Sequence, residues 1–395
     1  MTLPPVFDSD EAAHWRSQWN LAPGVSYLNH GSFGPPPRPV QAARRAWQER
    51  LDSQPMDFFV RQFEPAWFHA RRRLAELIGA AEGNLVFAEN ATAAMNVLAA
   101  SLSLRPGDEV LLTDHEYGAV QRIWRRSVEQ APGAKLMEAK LPLPIEAAEQ
   151  VVQAVFAAAT DRTRLLVVSH ITSATAVTLP VEPIVAEARR RGIPVCIDGP
   201  HAVAQLPLAL DQLGCDYYCA SCHKWLCAPF GSGFLYVAPP HQAAIRTPQL
   251  SWGRLPPGPL EVWSDEFVWS GTRDPSAYFA VPAAIDFLDQ VGLDRFRRQT
   301  HALACYARQQ LVGLTGLAPI TPDSPDWYGC MAHAPLPPGD ARTLQQQLWT
   351  EYGIEVPIIA WRDRRWIRVS CHLYNTSQEI DRLVAAVRQL LARGE

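Results

Sequence analysis

From residue 85 onward the sequence alternates short, almost wholly apolar runs with longer amphipathic ones. No other feature restricts the fold as much. The runs L-V-F (85–87), D-E-V-L-L-T (108–113), R-L-L-V-V-S (164–169), I-P-V-C-I-D (193–198), D-Y-Y-C-A-S (216–221) and G-F-L-Y-V (233–237) read as strands. Helical spacing fills 91–102, 118–130, 145–159 and 181–191 between them. Strands with apolar side chains at successive positions have both faces buried, so the alternation predicts an α/β chain with a mostly parallel sheet covered by helices on both sides. Two helices precede it, over 35–52 and 64–79. In the second, Trp67, Leu74, Leu77 and Ile78 share one face and Gly79 ends the run. Residues 240–282, rich in proline, glycine and tryptophan, read as a structured excursion. Helices over 276–290 and 294–312 lead into a smaller α+β unit that ends in a helix at 377–393. The chain of 395 residues suits this plan: an N-terminal segment (1–30), a large domain (31–282) and a small C-terminal domain (283–395).

Composition narrows the partners. With 48% hydrophobic and 19% charged residues the chain is globular, and a net charge of −4 gives no reason to expect nucleic acid or a membrane surface. The arginine runs 71–73 and 189–191 fall on helices as solvated faces. The first ten residues lack a basic region followed by an apolar one, and no stretch of eighteen apolar residues occurs, so a cytoplasmic protein is expected. Eight cysteines in such a chain should be reduced. Cys219 and Cys222 have C-x-x-C spacing, with Cys215 and Cys227 nearby. Without a second pair at zinc-ribbon distance, packing of a buried strand is the preferred reading over a metal site.

In open α/β sheets ligands bind beyond the carboxyl ends of the strands. That rule selects Asn90–Thr92, Asp114–Tyr117, Ser169–His170, Asp198–His201 and Ser221–Lys224. Lys224 stands in the apolar run S-C-H-K-W-L-C-A-P, where an ammonium would be costly to desolvate. Asp198 ends a buried strand and needs a cation or several donors. The two could form a structural ion pair. Alternatively, Lys224 binds an aldehyde covalently while Asp198 faces a protonated ring nitrogen, the arrangement pyridoxal 5′-phosphate (PLP) requires. The segment E-N-A-T-A-A opens a helix after a strand, so the N–H groups of Ala91, Thr92 and Ala93 could cradle a phosphate; Asn90 or Thr92 could equally be a simple cap. Ser221 and His223 offer further phosphate donors. Tyr117 is placed to stack on a flat ring, or to be an ordinary half-buried tyrosine.

D-G-P-H-A (198–202), S-C-H-K-W-L-C-A-P (221–229), N-A-T-A-A and Y-L-N-H-G-S-F-G-P (27–35) together resemble the class V aminotransferase-type PLP enzymes of fold type I. The subgroup resembled is that of isopenicillin N epimerase and the hercynylcysteine sulfoxide lyases. The resemblance spans about residues 25–390. It implies that Lys224 is the Schiff-base lysine and proton shuttle and that Asp198 pairs with the pyridinium. His201 and His170 would lie near the ring's phenolic oxygen. Tyr117, or His115 under a shifted alignment, would stack on the ring. Thr272 in S-G-T-R-D would reach the phosphate of a neighbouring subunit, which implies a homodimer with interfacial active sites. Arg368, in W-I-R-V-S-C-H-L-Y-N-T, would clamp the substrate α-carboxylate with its planar fork, and Asn29 and His30 would contact substrate. Phe230 stands where relatives carry lysine after C-A-P, which changes the charge at the site entrance.

The reading of the residues leans to carbon–sulfur β-elimination on a cysteine-derived substrate, sulfoxides included, with Lys224 as the base. Epimerisation is the alternative. It needs a second acid/base on the opposite face, for which Tyr117, His30 and His201 are available. Transamination and an inert binding module stay open. Persulfide-forming desulfuration is disfavoured because residues 352–367 contain no cysteine.

Overall fold

The computed structural model describes residues 9–394. Residues 1–8, which belong to the expected segment 1–30 and to the leader reading, lie outside the described residues. The large sheet has seven strands: β1 (Leu85–Ala88), β2 (Glu109–Thr113), β3 (Lys135–Ala139), β4 (Thr163–Ser169), β5 (Val195–Asp198), β6 (Tyr217–Ser221) and β7 (Gly233–Val237). Their order is β1-β7-β6-β5-β4-β2-β3. Only β7 runs against its neighbours, pairing antiparallel with both β1 and β6.

Burial on both faces is visible residue by residue. Val110, Leu112, Leu165, Val167, Cys196 and Cys219 join one core layer under the helices Ala91–Ser101 and Gly118–Glu129. Their neighbours Leu111, Leu166, Val168, Ile197 and Ala220 join the other, with Trp67, Leu74, Val151 and Ile184. This is the period-two alternation of a pleated strand with a helix layer on each side. Each Val, Leu or Ile among them, fully buried, contributes about 1.5–3 kcal/mol relative to exposure.

Strand β3, K-L-M-E-A, was not expected. It is an edge strand with a largely uncovered surface, so it needs no apolar run. A helix over Ser9–Ser17 was also not expected. The expected helix at 276–290 is divided at Ala280 into Ser276–Phe279 and Val281–Val291. Pro282 sits in the first turn of the second piece, where its missing N–H costs nothing. Gly79 does end the helix Phe63–Ile78, in a left-handed conformation with φ of 62°. No helix among the described residues is long and apolar enough to cross a membrane.

A three-stranded antiparallel sheet follows, with Arg364–Ser370 between Ile358–Trp361 and Met331–Leu336. The N-terminal motif docks onto this region. Ser26 and Tyr27 pair in parallel with Ile354 and Glu355, and Asn29 bridges Ser370. Residues more than 300 positions apart thereby meet at the carboxyl edge of the large sheet.

Candidate active site

The strand ends expected to hold ligands surround a cavity of about 600 Å³. Ala91 and Thr92 line it from the helix after β1, Tyr117 from the loop after β2, Asp198 from the end of β5, and Ser221, His223 and Lys224 from the end of β6. His201, Arg368, Ser32, Asn90 and Ser173 add to the polar lining, and Ile123, Val120 and Ile171 supply apolar wall.

Lys224 makes no ion pair with Asp198. Its Nζ lies 3.0 Å from His201 Nε2. The other nitrogen of that imidazole, Nδ1, accepts the indole N–H of Trp225 at 3.4 Å. An indole nitrogen can only donate, so the proton of His201 resides on Nε2 and points at Nζ. Nζ must then accept, which requires a neutral amine. The electrostatics agree. Burial, then the nearby Arg368 cation, lowers the Lys224 pKa to about 7, against a partial opposing pull from Asp198. Burial, then the Lys224 charge, holds His201 well below its ordinary value. Asp198 moves the opposite way, up to about 7, through burial and then the buried acid Glu116. Glu116 itself is pushed up to about 7 by burial, although it accepts hydrogen bonds from Ser169 N (3.0 Å), Ser169 Oγ (2.6 Å) and Thr113 Oγ1 (2.7 Å).

At the other end of the cavity Asn90 is the cap: its side chain accepts from Ala93 N at 2.9 Å. Ser221 Oγ accepts from Ala91 N, also at 2.9 Å, which leaves its own proton available to the cavity. Of the three N–H groups expected to cradle an anion, two are therefore engaged by side chains. His223 Nδ1 is buried without a partner, and burial lowers that ring to about 4.

Arg368 sits mid-strand in the small sheet. Its Nη1 donates to the Ser173 carbonyl and its Nη2 to Ser32 Oγ at 2.8 Å, while Nε is buried and unpartnered. Burial brings its pKa down to about 10, so it stays cationic at neutral pH.

Other expected residues lie apart. His170 is buried with Nδ1 2.9 Å from Tyr218 Oη, outside the cavity lining. His115 is buried against Trp361 and bonded to Thr175 Oγ1 at 2.9 Å, so Tyr117 is the aromatic that reaches the cavity. Asn29 donates to Glu355 at 3.1 Å and lies 3.5 Å from Arg368 Nη2. His30 is fully buried behind Lys224 and does not line the cavity. Thr272 is exposed and away from this chain's cavity. Sequence reasoning missed Ser32, Phe33 and Ser173, and gave Glu116 no role beyond its place in Asp114–Tyr117. Ser32 and Phe33 lie within the Y-L-N-H-G-S-F-G-P motif, and Glu116 lies between two residues that were weighed, so a closer reading of those motifs could have found them.

Cys196 Sγ lies 4.0 Å from Cys219 Sγ, inside the sheet's core layer. All eight cysteines are free, and none lines the cavity.

These residues fit PLP. The Asp198 carboxylate opens on the cavity with no hydrogen bond to it from the described residues, as suits a partner for a ring cation. The neutral Nζ suits an aldehyde. Ser221 Oγ–H and the buried, unpartnered Nδ1 of His223 suit a phosphate.

A family model for aminotransferase class-V matches residues 53–383. The chain is similar to isopenicillin N epimerase of Amycolatopsis lactamdurans, with 41% identity over 96% of this chain and 98% of that one. It is also similar to a putative L-cysteine desulfhydrase of Oryza sativa subsp. japonica, at 30% identity over 94% and 84%. Among solved structures it is similar to the cystine C-S lyase C-DES bound to cysteine persulfide, with a TM-score of 0.78, 23% identity and coverage of 93% and 98%. It is similar too to a cysteine desulfurase of Escherichia coli, with a TM-score of 0.80, 22% identity and coverage of 98% and 99%.

Proposed function

The chain belongs to the aminotransferase class-V family and has the PLP-dependent fold type I, and from that premise we propose that it cleaves a carbon–sulfur bond by β-elimination on a cysteine-derived amino acid. PLP, when bound, supplies the electron sink that acidifies the substrate Cα proton. Lys224 Nζ takes that proton; burial and the Arg368 cation favour its neutral form, and the His201 Nε2–H donates to it. Asp198 would accept the N–H of the protonated ring nitrogen and balance its charge. Arg368 binds the substrate carboxylate, its guanidinium held in orientation by Ser173 and Ser32. Ser221, His223 and the helix start at Ala91–Ala93, whose Thr92 N–H is not engaged by a side chain, would hold the phosphate, and Tyr117 would cover the ring. His170 steadies the end of the Asp198 strand from behind, its backbone N–H donating to the Asp198 carbonyl at 2.9 Å. Asn29 acts through Arg368.

The observation that carries the reading is the supply of proton-transfer groups. His201 is tied to Lys224 Nζ, and His30 lies outside the cavity. A single base serves elimination, whereas two-base epimerisation would have to use Tyr117 from the other side. No thiol lines the cavity to form a persulfide. The second reading, epimerisation, is supported by the 41% identity to an isopenicillin N epimerase. This reading also includes a cytoplasmic homodimer in which the exposed Thr272 meets the partner's phosphate site, and the division into segments 1–30, 31–282 and 283–395.

The experiment is incubation with a panel of L-amino acids and S-substituted cysteines. Pyruvate with ammonia, abolished in Lys224→Ala, is expected. Loss of optical activity without pyruvate would replace elimination by epimerisation.

A further inference from the structure

Behind the cavity lies a buried cluster that the reaction does not use: His30, Cys227, His372 and Tyr374. His30 Nε2 is 3.0 Å from the backbone carbonyl of Lys224, and His30 Nδ1 is 2.7 Å from Tyr374 Oη. A carbonyl only accepts, so the His30 proton is on Nε2 and Nδ1 accepts the Tyr374 O–H. Burial keeps the ring neutral, with its pKa lowered to about 3, so one tautomer serves both bonds. The same carbonyl also accepts Cys227 N–H at 2.9 Å, closing the turn 224–227. Cys227 in that turn has φ of 58°, a left-handed conformation unfavourable for a residue with a side chain. A strained turn carrying the lysine therefore depends on anchors from outside it. His30 provides one. Gly34 brings the N-terminal motif close enough that a Cβ there would lie 2.5 Å from the Lys224 oxygen.

We propose that His30 is a positioning residue for Lys224: its Nε2–H pins the lysine's own carbonyl, and the Tyr374 hydroxyl holds it in the tautomer that can do so. The alternative use of this cluster is a metal ion. His30, Cys227 and His372 form a grouping able to hold one, with Cys227 Sγ 3.5 and 3.4 Å from the two Nε2 atoms. Two features oppose it. His30 Nε2 has its lone pair replaced by the proton given to Lys224. His372 Nε2 likewise faces a carbonyl, that of Trp225 at 3.4 Å, so it too carries its proton on that nitrogen.

The proposal rests on Lys224 being the cofactor lysine, and the test separates the two. Holoenzyme is purified, and loss of cofactor on dialysis is followed by absorbance near the visible edge. Lack of any such band in the wild type would remove the functional reading itself. Given the band, His30→Phe is expected to lose cofactor about tenfold faster, as for one buried hydrogen bond left unmade. Tyr374→Phe should shift the same way by less, and His30→Gln, which keeps an N–H donor, should recover most of the loss. Recovery by glutamine is the readout that a purely space-filling role would not produce, and the order of Tyr374→Phe and His30→Gln decides the matter even if His30→Phe does not fold. Wild-type retention in both His30→Phe and Tyr374→Phe would overturn the proposal. So would a rise in substrate KM with cofactor retention unchanged, or stoichiometric zinc that is lost in Cys227→Ser.

Discussion

Asp198→Asn tests the site's electrostatics in two opposite directions. In the cofactor-free chain, folding raises this carboxyl from 3.8 to about 7, chiefly by burial and next by Glu116. A carboxyl whose folded pKa is raised holds its proton more tightly when folded. Its ionisation therefore costs stability that is absent below about pH 4, grows between about 4 and 7, and is complete above 7. Three pH units at 1.36 kcal/mol each give about 4 kcal/mol. The amide of asparagine also finds itself poorly partnered there, so the expected gain for Asp198→Asn at pH 8 is on the order of 2–4 kcal/mol. In a chain this long that amounts to several degrees in Tm, at about 2 °C per kcal/mol. The assay is urea or thermal unfolding of cofactor-free wild type and variant at pH 5 and pH 8, where the gain at pH 5 should be less than half that at pH 8. With the cofactor added the sign reverses: the variant leaves a ring cation without its partner, and kcat and cofactor affinity should each fall about 10²–10³-fold. A variant less stable than wild type at pH 8, or equally more stable at both pH values, would refute the assignment of Asp198 as a buried acid waiting for a cation.

Lys224→Ala should abolish both the absorbance band near the visible edge and product formation; a band that survives would mean another amine holds the cofactor. Capture of PLP by cofactor-free wild type should speed up as pH rises through about 7 and then level off, because the lowered Lys224 pKa frees the amine there; a rise centred near 10 would show an ordinary lysine. Arg368→Lys should raise KM about 10–100-fold with kcat changed far less, since a point charge cannot span Ser173, Ser32 and a carboxylate together; an unchanged KM would place the carboxylate elsewhere. Tyr117→Ala should weaken cofactor binding about threefold to tenfold, the worth of one aromatic contact, whereas His115→Ala should not act through the cavity, which it does not line.

Much of the fold was legible because the large sheet writes its two-sided burial directly into sequence. Leu165 to Val168 are all apolar since alternate members face opposite helix layers. The same rule that locates ligands at strand ends brought Asp198, Ser221, Lys224 and Tyr117 to one cavity from separate segments. Strand β3 escaped because an edge strand with polar exposed positions carries no such signal. His30 was read as a substrate contact because its motif pointed to the site, but a one-dimensional motif does not say which side of the lysine it packs against.

The sequence by itself determined the residue types and their order along the sheet's carboxyl edge, because local periodicity and the strand-end rule depend on near neighbours. It also marked Lys224 as an amine needing a way to lose its charge. Only the tertiary structure decided how: burial and then the Arg368 cation lower its pKa. The Asp198 pair does not form. His201 takes the place beside Nζ, its tautomer set by Trp225. Tertiary contact likewise put Arg368 beside Ser173 and Ser32, and His30 behind the lysine carbonyl. Hydrogen-bond direction and desolvation depend on atoms brought together across hundreds of residues, and no local pattern encodes them.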